Sequence, residues 1–258
     1  MKRAFAEHTW KEIEALPKDP GVVVLPIGAI EQHGPHLPLL TDALLAEETV
    51  RAAFARLPEG VPAWYLPVLC YGKSNEHTGY PGTIALSAAT LMAVVRDIAA
   101  SVAGAGFKRL LLFNAHGGNL ALLQVMARDL RAEFGLLCFV TQPDHSVARS
   151  SLPAPEQHFG IHAGTVETAL MLHLRPDLVH LDRAEPHYPN FKSETLSLTV
   201  PPQVGWLTRD WSPEGHFGDP TVASAEQGKT WMDSAAQKLA DLIAEVAFFN
   251  VAHPGGWS

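Results

Sequence analysis

Strand-length apolar runs alternate with helix-length segments along most of this chain, and that alternation narrows the fold more than any other feature. Val22–Ile27, Ala63–Cys70, Arg109–Phe113 and Leu136–Thr141 read as strands bounded by Gly, Pro or polar residues. Pro67 marks the second run as an edge strand or a kinked one. Between the runs lie helical patterns. One spans about residues 42–56, and the next carries Leu91, Val94, Val95, Ile98 and Val102 at helical spacing. A third covers Asn119–Phe134, with Leu123, Met126 and Leu130 on one stripe and Gly135 as its stop. Gly164–Leu174 is a fourth, stopped by Pro176. A last long helix starts near Ser224, whose spacing to Gln227 fits a capping box. The stretch from Val179 to Asp219 is irregular and is expected to hold short strands and loops over the site. Repeated strand–helix units imply a mainly parallel sheet with helices on both faces, and ligands bound beyond the carboxyl ends of the strands.

The 258 residues, 47% of them hydrophobic, contain no linker, charge block or internal repeat, so one domain over residues 1–258 is expected. The formal net charge of −8 argues against nucleic acid or an anionic membrane as partner, because either would need a basic patch. Two cysteines, Cys70 and Cys138, make no disulfide framework and suit a reducing, cytoplasmic location. Residues 1–10 have no apolar core of a signal peptide, and no apolar run has membrane-spanning length.

Polar clusters follow the strands. Glu31-Gln32-His33-Gly34-Pro35-His36 and Thr41-Asp42 come after the first run, and Gly72 to Thr83 after the second. Asn114-Ala115-His116-Gly117-Gly118-Asn119 follows the third, and His162 to Thr168 opens a helix. Residues two apart in extended chain point the same way, so Glu31 and His33 can aim at one point. Carboxylates and imidazoles without thiolates suit catalytic zinc, manganese or iron rather than a structural zinc. Glu31, His33, Asp42, His116 and Glu167 are too many ligands for one catalytic zinc and suit two divalent ions sharing a carboxylate, with Asp42 the best bridge. Such a pair generates hydroxide near neutral pH and polarises a carbonyl. His162 and Glu167, if both helical, would point about 140° apart. His162 is therefore placed in the turn before the helix, reaching the substrate as general acid or base. Gly117 and Gly118 let the backbone approach a ligand closely.

Taken singly, each cluster has an ordinary structural explanation. Glu-x-His alone is a common solvated loop, and Glu167 could simply complement a helix dipole. Ser74 and His77 could be loop hydrogen-bonding residues. His36 is expected to orient its loop or hold a metal ligand. His158, His173, His180, His187, His216 and His253 have no supporting pattern and read as surface or packing residues. Trp206, Trp211, His216 and Phe217 are candidates to line a pocket. Serine chemistry is the main hydrolytic rival, but Gly72-Lys73-Ser74-Asn75-Glu76 lacks the second glycine of a nucleophile elbow. Cys70 has no feature that would activate it. No P-loop, dinucleotide fingerprint or His-Glu-x-x-His is present.

As a set, Gly28 to Pro38, Thr41-Asp42, Ser74 to Thr83, Asn114 to Asn119, His162 to Thr168 and Gly218-Asp219-Pro220 resemble the creatininase family of metal-dependent amidohydrolases, in the family's order from about residue 20 to 230. The resemblance implies a three-layer α/β/α sandwich, a two-metal site and a homohexamer. It implies that Glu31, His33, Asp42, His116 and Glu167 bind metal, that His162 assists proton transfer, and that Ser74 lies near a small-molecule amide substrate; the amides of Gly117 and Gly118 are expected to help hold that substrate or a metal ligand. In creatininase proper the metal-binding His is followed by Tyr-Glu, and that Glu holds a metal. Gly117-Gly118 stand there in this chain, so one coordination shell must differ, with Glu167 or water compensating. Relatives with the Gly-Gly form include formamide hydrolases of flavin and deazaflavin biosynthesis and the mycofactocin-precursor peptidase. The shared reaction is cleavage of a C–N amide bond, on a non-peptide amide, cyclic or open, if the creatininase likeness extends to substrate. A non-catalytic metal-dependent binder on the same scaffold is the alternative from another class.

Overall fold

The computed structural model describes residues 2–251; the expectation for His253 lies outside them. The sheet has four parallel strands, β1 (Val22–Ile27), β2 (Ala63–Tyr65), β3 (Arg109–Asn114) and β4 (Leu137–Thr141), in the order β2-β1-β3-β4. The helices in chain order are α1 (Trp10–Ala15), α2 (Thr41–Arg56), α3 (Ala88–Gly104), α4 (Leu120–Phe134), α5 (Ser146–Ser150), α6 (Ala154–Phe159), α7 (Thr165–Leu174) and α8 (Ala225–Phe248).

Successive strand residues point to opposite faces, and the two faces are packed by different helices. Val23, Leu25, Leu110 and Leu112 meet Leu91, Val95 and Ala99 of α3 and Leu123, Met126 and Leu130 of α4. Val22, Val24, Leu111 and Phe113 meet Val50 and Phe54 of α2 and Leu239, Ile243 and Val246 of α8. Both faces of β1 and β3 are therefore dry, which is why their sequences are continuous apolar runs rather than alternating ones. The result is the expected three-layer sandwich.

The order β2-β1-β3-β4 places a topological switch beside β1. The chain moves from β1 to β2 with α2 on one face, then crosses back over β1 to β3 with α3 on the other. The loops after β1 and β3 thus leave toward opposite faces and open a crevice between their carboxyl ends, the usual ligand position in such sheets.

Several boundaries differ from the sequence reading. The second strand was expected over Ala63–Cys70, but only Ala63–Tyr65 is paired as a strand. Pro67 has no N–H to offer the ladder; pairing resumes at a single bridge between Leu69 and Ile27. The irregular region holds no strand among the described residues, only short 3-10 turns and isolated bridges such as His162–Phe217 and His187–Gly218. The helices α1, α5 and α6 are too short for periodicity to reveal. Gly135 ends α4 in the left-handed conformation, φ 68°, and the Ser224–Gln227 capping box opens α8 as expected.

Candidate metal centre

Four chain segments converge on the crevice between β1 and β3. The loop after β1 supplies Glu31 and His33, and the first turn of α2 supplies Asp42. A β-carbon on Gly28 would lie 2.6 Å from the backbone of Ala43. Glycine there lets α2 start against the end of β1, which carries Asp42 inward. The loop after β3 brings His116, and the start of α7 brings His162 and Glu167. Glu31, His33, Asp42, His116 and His162 are all buried.

The imidazoles share one arrangement. Each gives one ring nitrogen to a backbone carbonyl: His33 Nδ1 to Glu31 O at 3.1 Å, His162 Nε2 to Gln32 O at 2.8 Å, His116 Nε2 to Lys73 O at 3.2 Å. A carbonyl only accepts, so those nitrogens carry the protons. The other nitrogen of each ring is left facing carboxylates. His33 Nε2 lies 3.2 Å from Asp42 Oδ1 and 3.9 Å from Glu167 Oε2. His116 Nδ1 lies 3.2 Å from Glu31 Oε2 and 3.1 Å from Asp42 Oδ2. His162 Nδ1 lies 3.8 Å from Glu31 Oε1. Second-nitrogen hydrogen bonds of this kind orient metal-binding histidines.

The carboxylates are under-satisfied. Both oxygens of Glu31 and Oδ2 of Asp42 are buried with no hydrogen-bond partner among the described residues. Buried charge of this kind calls for a cation. Ligand atoms of Glu31, Asp42 and His116 lie within 4.8 Å of one another; so do those of His33, Asp42 and Glu167, and those of Glu31, His33 and His162. The donor set therefore fits a divalent metal.

With no cation bound, the carboxylates instead favour extra protons on the rings they face. Burial disfavours a charged His33, yet Asp42, Glu167 and Glu31 outweigh it and raise its pKa to about 10. Burial is likewise overcome at His116 by Glu31 and Asp42, which hold it well above the ordinary value. Burial works against the Asp42 charge too, but His33 and His116 keep its carboxyl far below the usual range. Glu167 is pushed up by burial, with His33 opposing and Asp42 reinforcing. His162 is held neutral by burial and by the nearby His77 and His33.

Residues outside the expected set also converge here. His77 accepts at Nδ1 from Gln32 Nε2 (2.7 Å) and from Thr208 Oγ1 (3.0 Å), which leaves its Nε2–H facing Glu31 Oε1 at 3.3 Å. Gln32 also binds Gly215 O and Gly34 N, tying the Glu31–His33 loop to the irregular region. Glu76 Oε1 lies 3.3 Å from His116 Nε2. In sequence these residues show only as a Glu-His pair at 76–77 and a Gln between Glu31 and His33, neither of which separates them from ordinary loop residues. His36 binds Ala163 O and Thr168 Oγ1, so it positions the α7 entry rather than donating to the cluster. Ala163, with φ 52°, occupies a conformation that a β-carbon disfavours, held by its N–H to Glu167 and its carbonyl to His36. Ser74 is buried with Oγ 3.4 Å from His116 Nε2. Gly117 and Gly118 form the 3-10 turn after His116. Phe217 and His216 are buried packing residues, and Trp206 stacks edge-on to Phe217. A small cleft of about 50 Å³, walled by His145, Arg149, Gly160, Ile161, Gly164 and Val166, reaches Glu167.

A parallel α/β/α sandwich with buried carboxylates and imidazoles at its switch point is the layout of a metal-dependent hydrolase. Residues 6–243 match the creatininase family, described as creatinine amidohydrolase. The creatinine amidohydrolase of Pseudomonas putida is 35% identical over 262 residues, covering 93% of this chain and 95% of that protein. The mycofactocin precursor peptide peptidase of Mycobacterium ulcerans is 32% identical over 237 residues, covering 90% and 87%. Among solved structures, a manganese creatininase superposes with a TM-score of 0.73 at 31% identity, covering 95% of this chain and 98% of the other. A creatininase variant of Zn–Zn type gives the same values. This chain belongs to the creatininase family and is a hydrolase of that family.

Proposed function

We propose that the protein hydrolyses a C–N amide bond with the help of two divalent metal ions. One would be held by Glu31, Asp42 and His116 and the other by His33, Asp42 and Glu167, with Asp42 shared. The observation that carries this reading is the set of three imidazoles whose outer nitrogens are tied to carbonyls while their inner nitrogens face carboxylates, three of whose oxygens, both of Glu31 and Oδ2 of Asp42, have no hydrogen-bond partner among the described residues. The related structures named for manganese and for zinc support those two metals, and iron shares the ligand chemistry. Bound there, such ions supply Lewis acidity and an activated water.

The chain's own residues do the rest. The cleft ending at Glu167 admits the amide. His162, neutral and with its lone pair on Nδ1 directed into the cluster, can accept a proton and return it to the leaving nitrogen. Gly117 and Gly118 leave backbone amides near His116 to hold substrate, and Ser74 lies beside the same ring. Ser74 does not act as a nucleophile paired with His116. Nε2 of that ring faces Lys73 O and Glu76 as well, so it carries a proton and cannot take one from the hydroxyl.

A small non-peptide amide, cyclic or open, follows the creatinine amidohydrolase relative; the mycofactocin precursor peptide peptidase relative makes a peptide bond the second reading, and a formamide is the further alternative. Residues 1–258 are read as one domain, assembling as a homohexamer by family resemblance. Free Cys70 and Cys138 fit a cytoplasmic setting. No described helix is long and apolar enough to cross a membrane. The test is metal analysis of the purified protein followed by a panel of cyclic amides, formamides and short peptides. Metal-dependent release of an amine from one class is expected. Full amidase activity in metal-free protein, or metal-loaded protein that binds an amide and never cleaves it, would overturn the proposal.

A further inference from the structure

His116 is unusual among the three imidazoles because its outer nitrogen meets a carboxylate as well as a carbonyl. Around Nε2 lie Lys73 O at 3.2 Å, Ser74 Oγ at 3.4 Å and a carboxylate, Glu76 Oε1, at 3.3 Å. Glu76 sits in the 3-10 turn Asn75–His77, and its side chain is only 17% exposed. Its carboxylate lies directly over Gly118. A β-carbon at that glycine would overlap both Glu76 Oε1 and His116 Nε2.

We propose that Glu76 is a positioning residue for the metal centre, holding the proton of His116 on Nε2, and that position 118 is glycine to make room for its carboxylate. This rests on the two-metal reading above. A neutral imidazole has one proton, and a carboxylate is a stronger acceptor than a peptide carbonyl. With the proton drawn to Nε2, the lone pair is left on Nδ1, the atom facing Glu31 and Asp42. The same contact makes Nδ1 more basic and so a better donor to a cation, as carboxylate partners of metal-binding histidines do. Among the described ion pairs the Glu76 carboxylate meets His116 and not His33, Asp42 or Glu167, so its effect falls first on the ion that His116 would bind.

The test is titration of metal-free protein with Zn²⁺ or Mn²⁺ against a competing chelator, for wild type, E76Q, E76D and G118A. The Nε2–H resonance of His116 is followed by NMR in the Zn²⁺-loaded protein. Wild type should bind two equivalents. E76Q should weaken one of them by about 10- to 100-fold and leave the other unchanged. E76D should recover part of the loss. G118A, whose β-carbon would meet Glu76 Oε1, His116 Nε2 and Lys73 O, should weaken the same equivalent at least as much as E76Q. The Nε2–H resonance should move upfield in E76Q and G118A but not in E76D. Wild-type affinity for both equivalents with an unmoved resonance in E76Q and G118A would overturn the role of Glu76 and leave the metal centre standing. A wild-type protein that takes up neither metal would overturn the metal reading, and this proposal with it.

Discussion

The ring of His116 meets Asp42 at 3.1 Å, Nδ1 to Oδ2, and the other oxygen of that carboxylate lies 3.2 Å from His33. One side chain from the first turn of α2 thereby joins His33 of the β1 loop to His116 of the β3 loop. Replacing Asp42 should damage both halves of the centre, whereas replacing His33 should damage one. Asp42→Ala is expected to retain less than one equivalent of divalent metal and to lose activity. His33→Ala is expected to keep about one equivalent. Elemental analysis after dialysis checks this, and two equivalents in Asp42→Ala would contradict it.

Ser74 separates metal chemistry from serine chemistry. Its hydroxyl faces a ring nitrogen that already carries a proton, so Ser74→Ala should lower kcat/KM by less than about 10-fold. Loss of a true serine nucleophile costs on the order of 10⁶. Steady-state kinetics on any substrate found for the enzyme decide between the two.

His36 should make the fold acid-sensitive. Burial, reinforced by the neighbouring His216 and opposed by the bond to Ala163 O, lowers its pKa from 6.5 to about 4. Above pH 6.5 the ring is neutral in both folded and unfolded chains. As pH falls from 6.5 toward 4, the unfolded chain takes up a proton that the folded one refuses, so stability is lost across that window and levels off below it. Full expression of the shift is worth about 3 kcal/mol. Urea midpoints of metal-free wild type should therefore fall more steeply between pH 7 and pH 4.5 than those of His36→Gln. Equal slopes would refute the assignment.

Glu156 is a buried carboxylate that accepts from Thr165 N and Asp219 N, each at 2.7 Å, and from Tyr188 OH at 3.1 Å. It joins α6 to the start of α7, where His162 and Glu167 sit. Glu156→Gln would turn an amide NH₂ toward at least one of those donors, leaving buried donors facing each other. A loss of about 2–3 kcal/mol is expected, read as a lower Tm, together with a fall in kcat. An unchanged Tm would show that the network carries no stability.

The residues of the centre were readable because chemistry restricts ligand types and parallel sheets restrict where ligands go. Glu31, His33 and Asp42 could be named from the loop after an apolar run, and His116 from the loop after another. Nothing in a local pattern distinguished Glu76 or His77 from ordinary loop residues. Their partners, His116 and Glu31, lie 40 and 46 residues away in sequence, and only strand order brings them together.

What the sequence by itself determined was the class of architecture and the kinds of donor atom. Strand-length apolar runs bounded by Gly, Pro or polar residues point to strands covered on both faces, and carboxylates with imidazoles favour divalent ions of the zinc, manganese and iron type. The tertiary structure alone decided which nitrogen of each imidazole carries its proton, since that depends on a carbonyl or carboxylate arriving from elsewhere. It also decided that the missing side chain at Gly118 is matched by a carboxylate from position 76, because space, unlike residue type, is a property of the packed chain.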